Sequence, residues 1–375
     1  VLFVMTFPYP SQAAIAIALL SSVALAVSIV LTKHWHGRHS LDSDTGVQKI
    51  HSDPTPRIGG LAVLVGMVLA WVIATPAVAK HLGWILIASL PAFLFGMAED
   101  FTKSIGVTER LSATFASGLL AVSLGDLSIV RVDVPLIDLL LTVGPFAALF
   151  TVFAIAGLCH AVNLVDGYHG LSTGSFLISL VGLGLIAHTQ ADAEMVQLCV
   201  LIGAAALGFF VLNFPFGKLF LGDSGAYLLG FLLGCLSVLL VTRNPVLSPW
   251  AAVLACSYPI IETLFSILRR LAFDRALAQP DRQHLHSLIG AHLCARFPYF
   301  AQGCLPHVGV CLLIWPFVAL GAWLGWQCST STPILIVAFA CLSLCYGVVY
   351  WNLNSLVRRD MASNTAQPEQ VTNEA

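Results

Sequence analysis

Long apolar runs separated by short polar segments make up most of the chain. Stretches at roughly 11–32, 60–79, 82–98, 111–125, 139–160, 174–190, 195–213, 225–242, 249–269, 306–326 and 333–353 carry very little charge. A bilayer core needs about 20 apolar residues per helix. Backbone polar groups inside it must be paired internally, which leaves helices or closed barrels. The runs do not alternate strictly, so a barrel is excluded. The pattern therefore predicts an all-α integral membrane protein of about eleven transmembrane helices. They form one polytopic domain over 1–359, and a polar, disordered tail follows over 360–375. The first run is read as a span, not a cleaved signal, because Lys33 and Arg38 follow it instead of preceding it. The segment from Asp126 to Asp138 alternates over a few residues and predicts a short hairpin on the outer side.

Composition agrees with this reading: of 375 residues 58% are hydrophobic and 10% charged, against about 25% charged in soluble domains. A net charge of −2 offers no footprint for nucleic acid. The ten cysteines lie mostly within apolar runs and form no CxxC pair. They read as small packing residues, not as metal ligands or disulfides.

Lysine and arginine set the orientation. With the N-terminus outside, the loops that become cytoplasmic hold fourteen of the 17 basic residues and the opposite loops only Lys80, Arg131 and Arg243. This places the N-terminus outside and the C-terminus on the cytoplasmic side. The longest loop, roughly 270–305, is too short for a separate domain. Chemistry must then occur in a cytoplasmic-face groove of helix ends and short loops, open to a membrane-resident substrate.

Five polar clusters fall on that face. The first runs from Lys49 through His51 and Asp53 to Arg57, Gly59 and Gly60. Its prolines stiffen the loop, and Lys49 and Arg57 suit phosphate, although a rigid turn with topogenic charges would look the same. The second is Glu99-Asp100 with Lys103 and Arg110. Adjacent carboxylates ending an apolar helix need solvent, a partner or a metal. The third joins Asn163, Asp166, Gly167, His169 and Gly170. Asn163 and Asp166, three apart, share a helix face, while a lone histidine such as His169 also suits structural packing. The fourth joins Asn213, Lys218, Phe220, Gly222, Asp223 and Ser224. Here Asp223 is either a helix cap or a functional acid, and Phe220 either stacks on a base or fills the core. The fifth, Asp281-Arg282-Gln283-His284-Leu285-His286-Ser287, suits a diphosphate or a solvated loop near anionic lipid. Zinc lacks a third soft ligand nearby. Together these clusters supply carboxylates for Mg²⁺, which is held by one or two carboxylates plus substrate phosphate, and cations for phosphate. This is an inventory for phosphoryl transfer.

In this order, PTPRIGG, NLVDG, FLGDSG and DRQHLH resemble the polyprenyl-phosphate N-acetylhexosamine-1-phosphate transferase superfamily, and the likeness runs from about Lys49 to Leu288. DRQHLH and the number of spans look more like the N-acetylglucosamine-1-phosphate branch than the peptide-linked one. The resemblance implies transfer of a sugar-1-phosphate from a UDP-sugar to polyprenyl (undecaprenyl) phosphate, with release of UMP and with Mg²⁺ or Mn²⁺ as cofactor. It implies that the membrane is a bacterial inner membrane, with the N-terminus on its periplasmic side. It also implies that Asp100 acts on the lipid phosphate, as base or near the metal, and that Asp223 binds the metal. Asn163 and Asp166 match the nucleotide-side motif. Phe220 matches an aromatic facing the uracil, and Arg282, His284 and His286 match a loop closing over sugar and diphosphate. Glu99 replaces a first Asp of the family pair, His169 replaces the second Asp of a DGxDG motif, and Ser287 replaces a further histidine. These departures suggest a branch that starts a cell-envelope glycan such as O-antigen, using a modified N-acetylated sugar. The expected partners are the two substrates and membrane lipids, with a homodimer as the expected assembly. A secondary transporter is the competing reading, but it would place its carboxylates near the midplane. Here only Glu262 lies inside a span, and an interhelical hydrogen bond would account for it. A catalytically inactive relative is the third reading, opposed by retention of Asp100, Asp166, Asp223, Arg282 and His284.

Overall fold

The computed structural model describes residues 11–41, 55–272 and 283–365. Fifteen α-helices occur among them: α1 (Gln12–Leu31), α2 (Lys33–Ser40), α3 (Gly60–Ile73), α4 (Pro76–Thr102), α5 (Val107–Gly125), α6 (Pro135–Leu141), α7 (Gly144–Val165), α8 (Leu171–Thr189), α9 (Ala193–Asn213), α10 (Gly222–Arg243), α11 (Pro249–Ala255), α12 (Ser257–Ala272), α13 (Leu285–Arg296), α14 (Leu305–Gln327) and α15 (Thr332–Thr365). No strand forms among the described residues, and only Leu41 and Pro56 pair as an isolated bridge.

Each of the eleven apolar runs falls on a helix or a pair of helices. Among the described residues eight helices are long and apolar enough to cross a bilayer, and α11 with α12 makes a ninth if the pair is one span. The difference from eleven has two sources. Helix α3 has only 14 residues, and α5 opens with Thr108, Glu109 and Arg110, which dilute its apolar character. The run at 249–269 is also not one straight span, because α11 and α12 meet at 84°. Pro259 accounts for the break: it offers no N–H to the carbonyl of Ala255 and its ring crowds that carbonyl.

Helix α10 is the axis. It is apolar on every side, as expected of a helix sheathed by others, and 83% of its central window is buried. It packs against α4, α7 and α8, while α1, α3 and α9 form a group beside it and α14 joins α8 to α11. Helix α3 can cross it closely because Gly60 meets Gly225: a Cβ on Gly60 would lie 2.4 Å from the Gly225 Cα. Small residues allow this kind of contact between membrane helices.

The expected hairpin over Asp126–Asp138 does not form. Pro135 starts α6 instead, in keeping with the preference of proline for the first helical turn. The preceding residues are held by side chains and not by a partner strand: Ile129 N–H donates to Thr151 Oγ1 and Val132 N–H to Asp138 Oδ1. Arg131 donates to the carbonyls of Pro245 and Leu247. A two-stranded ribbon alone is marginal, and these anchors outcompete it.

Candidate active site

The site is built around the start of α10. The first N–H groups of a helix lack partners within it, and here they are met from across the bundle. Asp100, in the last turn of α4 and buried, accepts from Asp223 N–H (2.8 Å) through Oδ1. Through Oδ2 it accepts from Ser224 N–H (3.0 Å) and Ser224 Oγ (2.7 Å). The turn fits only glycine at position 222, where φ is +75° and a Cβ would lie 2.0 Å from the Arg57 carbonyl oxygen. Asp223 is therefore not the cap of its own helix, one of the two roles its position allowed. Asp100 is the cap, and Asp223 is left to face other groups.

Those groups are basic. Arg110 Nη1 donates to Asp223 Oδ2 at 2.6 Å, Asn163 Nδ2 donates to Oδ1 at 3.3 Å, and Arg57 Nη2 lies 3.5 Å from the same oxygen and 3.9 Å from Asp100 Oδ1. Arg57 is held here because its loop runs beside the start of α10: Phe220 N–H donates to the Pro56 carbonyl, Gly59 N–H to that of Phe220, and Gly60 N–H to that of Leu221. Asn163 lies in the last turn of α7 and Asp166 is the C-cap, so both stand at the same end of that helix. Burial pushes the Asp166 carboxyl up to about 7. Arg57 pulls against this rise, and the charges of Asp223 and Asp100 add to it.

Four other sequence candidates are placed differently. Glu99 does not join Asp100: its carboxylate accepts from Ile105 N–H at 2.7 Å and shapes the turn after α4. Lys218 is exposed. Phe220 is partly buried, with its ring 5.2 Å from that of His169. His169 is buried and stacks on His307, with ring centroids 3.6 Å apart at 2°. Its backbone is clamped by α14, since its N–H donates to His307 Nδ1 (3.0 Å) and its carbonyl accepts from Cys311 Sγ (3.3 Å). Lys49 and Arg282 lie outside the described residues.

His284 and His286 converge on Glu262. His284 Nδ1 is 3.1 Å from Glu262 Oε1 and His286 Nδ1 is 3.8 Å from Oε2. The same turn comes close to the third cluster, because a Cβ on Gly167 would lie 3.0 Å from His286 Nε2. Burial pushes His286 down to about 4, with Glu262 opposing and His284 assisting.

Several residues of the site were not singled out as functional by sequence reasoning. Arg110 reads as a topogenic charge, and its place in the polar segment after Glu99-Asp100 was the available signal. Asn213 bridges Gly170 N–H and the Leu219 carbonyl, thereby joining the third and fourth clusters. His307 lies in the first turn of a long apolar helix and gives no sign of a partner 138 residues away.

Among the described residues no three His, Cys, Asp or Glu side chains share one coordination shell. A hard divalent ion needs only one or two carboxylates when phosphate and water complete its shell. Asp166 and Asp223 fit that donor set, one lifted by burial and the other tied to arginine. The Asp100 oxygens are instead committed to α10.

The comparisons fall on the same stretch. Residues 82–241 match the family model of glycosyl transferase family 4. A probable undecaprenyl-phosphate N-acetylglucosaminyl 1-phosphate transferase of Bacillus subtilis is 28% identical over 240 residues, 64% of this chain and 66% of the relative. A decaprenyl-phosphate N-acetylglucosaminephosphotransferase of Mycolicibacterium smegmatis is 28% identical over 265 residues, covering 63% of this chain and 65% of its own length. An undecaprenyl-phosphate alpha-N-acetylglucosaminyl 1-phosphate transferase of Escherichia coli is 26% identical over 249 residues, at 64% and 67%. The chain thus spans about two thirds, 65–66%, of the length of the first two relatives. Of the motifs, NLVDG and FLGDSG lie within the matched residues, and the segment that carries Asp100, Asp166 and Asp223 is similar to glycosyl transferase family 4.

Proposed function

We propose that this chain transfers a sugar-1-phosphate, of an N-acetylated hexosamine, from a UDP-sugar to polyprenyl (undecaprenyl) phosphate, at the cytoplasmic face of a bacterial inner membrane. A phosphate oxygen of the lipid forms a bond to the sugar-bearing phosphorus, the bond from that phosphorus to the bridging oxygen breaks, and UMP leaves with the electron pair. The supporting observation is the meeting of Asp100, Asp166 and Asp223 with Arg57 and Arg110 at one end of a buried helix. The lipid phosphate is already anionic, so it needs positioning and charge neutralisation more than a base. Arg57 and Arg110 supply cationic contacts for the phosphates. Asp100 keeps the start of α10 in place, which fixes Asp223. Asp223 and Asp166 would hold Mg²⁺ or Mn²⁺, which supplies a Lewis acid for phosphate oxygens when bound. The product would begin a cell-envelope glycan such as O-antigen.

The test is transfer of label from UDP-N-acetylglucosamine to undecaprenyl phosphate by purified protein in detergent, with Mg²⁺ and with EDTA, beside UDP-linked 6-deoxy N-acetylated sugars. Metal-dependent lipid label with UMP release is the expected result. Folded protein that labels no lipid with any donor would overturn the reading.

A further inference from the structure

Among the described residues Glu262 is the most deeply buried carboxylate outside the Asp100 cluster, with no exposed surface. It lies in α12, just beyond the break from α11. Each of its oxygens is engaged. Oε1 faces His284 Nδ1 at 3.1 Å and Leu285 N–H at 3.4 Å; Oε2 accepts from Tyr258 OH at 3.2 Å. A carboxylate taken out of water needs such partners. A plain structural pair would need only one histidine. Here two rings, those of His284 and His286, stand nearly parallel, 5.4 Å apart at 9°, both with Nδ1 toward the same carboxylate. With Nδ1 directed at the carboxylate, Nε2 of each ring points away from it, and that of His286 approaches Gly167, next to Asp166.

We infer that Glu262 is the positioning residue of this turn: it holds His284 as the Nδ1–H form and, with that ring fixed, keeps Nε2 of His286 against the Gly167 turn beside Asp166, the side on which the phosphates of the nucleotide-sugar would bind. An accepting carboxylate fixes which nitrogen carries hydrogen and raises the basicity of the other. His286, kept neutral by burial, spaces the pair, and Ser266 Oγ lies 3.2 Å from the same Nδ1 of His284 that faces Glu262. The remaining groups that face the pair are Arg269, which donates to Gln283 and lies over the Tyr350 ring, the phenols of Tyr258 and Tyr346, and Tyr168 against His286. The inference rests on the transfer reading for the identity of the phosphates, but not for the tautomer.

The experiment uses the full chain in detergent. E262Q keeps the shape and one accepting oxygen but loses the charge. The expected result is a fall in kcat for UMP release of about 10–100-fold, with KM for the UDP-sugar changed less than about threefold. H284A loses a similar factor, and E262Q/H284A loses little more than either single variant. Additive losses would show a merely structural role and overturn the inference. Should E262Q not fold, E262D retains the charge at greater distance and is expected to lower kcat less than E262Q does. A nitrogen-15 spectrum of histidine-labelled protein decides the tautomer without turnover: E262M, which offers no accepting oxygen, and H284A should each remove the same Nδ1–H signal. Its persistence in E262M sinks the assignment. Wild-type protein that transfers nothing would instead fail the transfer reading, with the spectrum still deciding the role of Glu262.

Discussion

The two ends of α10 both carry acidic residues and arginine, yet they are finished differently. At its C-terminal end Arg243 donates to both oxygens of Asp192, at 2.8 and 2.9 Å, and reaches Glu194 at 3.0 Å. Asn244 and the Met195 N–H complete Asp192. Burial opposes the charge of Asp192, but the hydrogen bonds from Arg243 overcome it and hold its carboxyl below the usual range. At the N-terminal end three carboxylates share two arginines, and Asp166 is pushed the other way. A saturated ion pair locks helix ends together. A cluster with more acid than base leaves room for a cation and phosphate.

Breaking the inner end should cost activity first. D223N is expected to lower transfer by at least about 100-fold while the detergent melting midpoint changes little; near-normal UMP release would remove Asp223 from the chemistry. D100N is expected to lose activity and stability together, because an amide has one accepting oxygen for three donors. The stability loss should be about 1–3 kcal/mol, read as a lower midpoint, and an unchanged midpoint would show that the cap is dispensable. Breaking the outer end should do the reverse: D192N is expected to cost about 1–2 kcal/mol with kcat within about twofold. A large kcat loss there would erase the contrast between the ends.

The smallest effect concerns pH. The Asp166 carboxyl titrates near 7 when folded and near its ordinary 3.8 when unfolded. Between these values the native state binds more protons than the unfolded state, so this residue makes stability fall as pH rises through that window. In metal-free buffer D166N should flatten the decline of the melting midpoint from about pH 5 to 7.5. Parallel curves for the two proteins would assign the carboxyl to solvent.

The cluster at the start of α10 was legible in sequence because carboxylates and arginines stand out against apolar runs. Asp100, Asn163, Asp223 and Arg57 come together there, and the charges of Arg57, Asp223 and Asp100 act on Asp166. What remained hidden depends on contacts distant in the chain. That Asp100 caps α10 joins residues 123 positions apart, and nothing local distinguishes a cap from an acid. Glu99 looked like half of a carboxylate pair, yet adjacent helical residues point about 100° apart, and Ile105 N–H claims it. His169 suited either recognition or structural packing by sequence, and the partners that secure it, His307 and Cys311, come from a helix that carries no polar motif. The bend before α12 was concealed by an unbroken apolar run, although Pro259 marked it for a reader who counted four residues back.

The sheathing of α10 also bears on how this chain can drift over generations. Every side of that helix meets a neighbour, so a change of volume anywhere along it is felt by another helix. By contrast, α1 and the spanning part of α15 have only 28% and 22% of their central windows buried, and exchanges among apolar residues on their outer sides meet only lipid. Tolerated variation should therefore gather in the first and last spans and thin toward the middle. The family match, which begins inside α4 and ends inside α10, covers that constrained middle and leaves the two outer spans free to diverge.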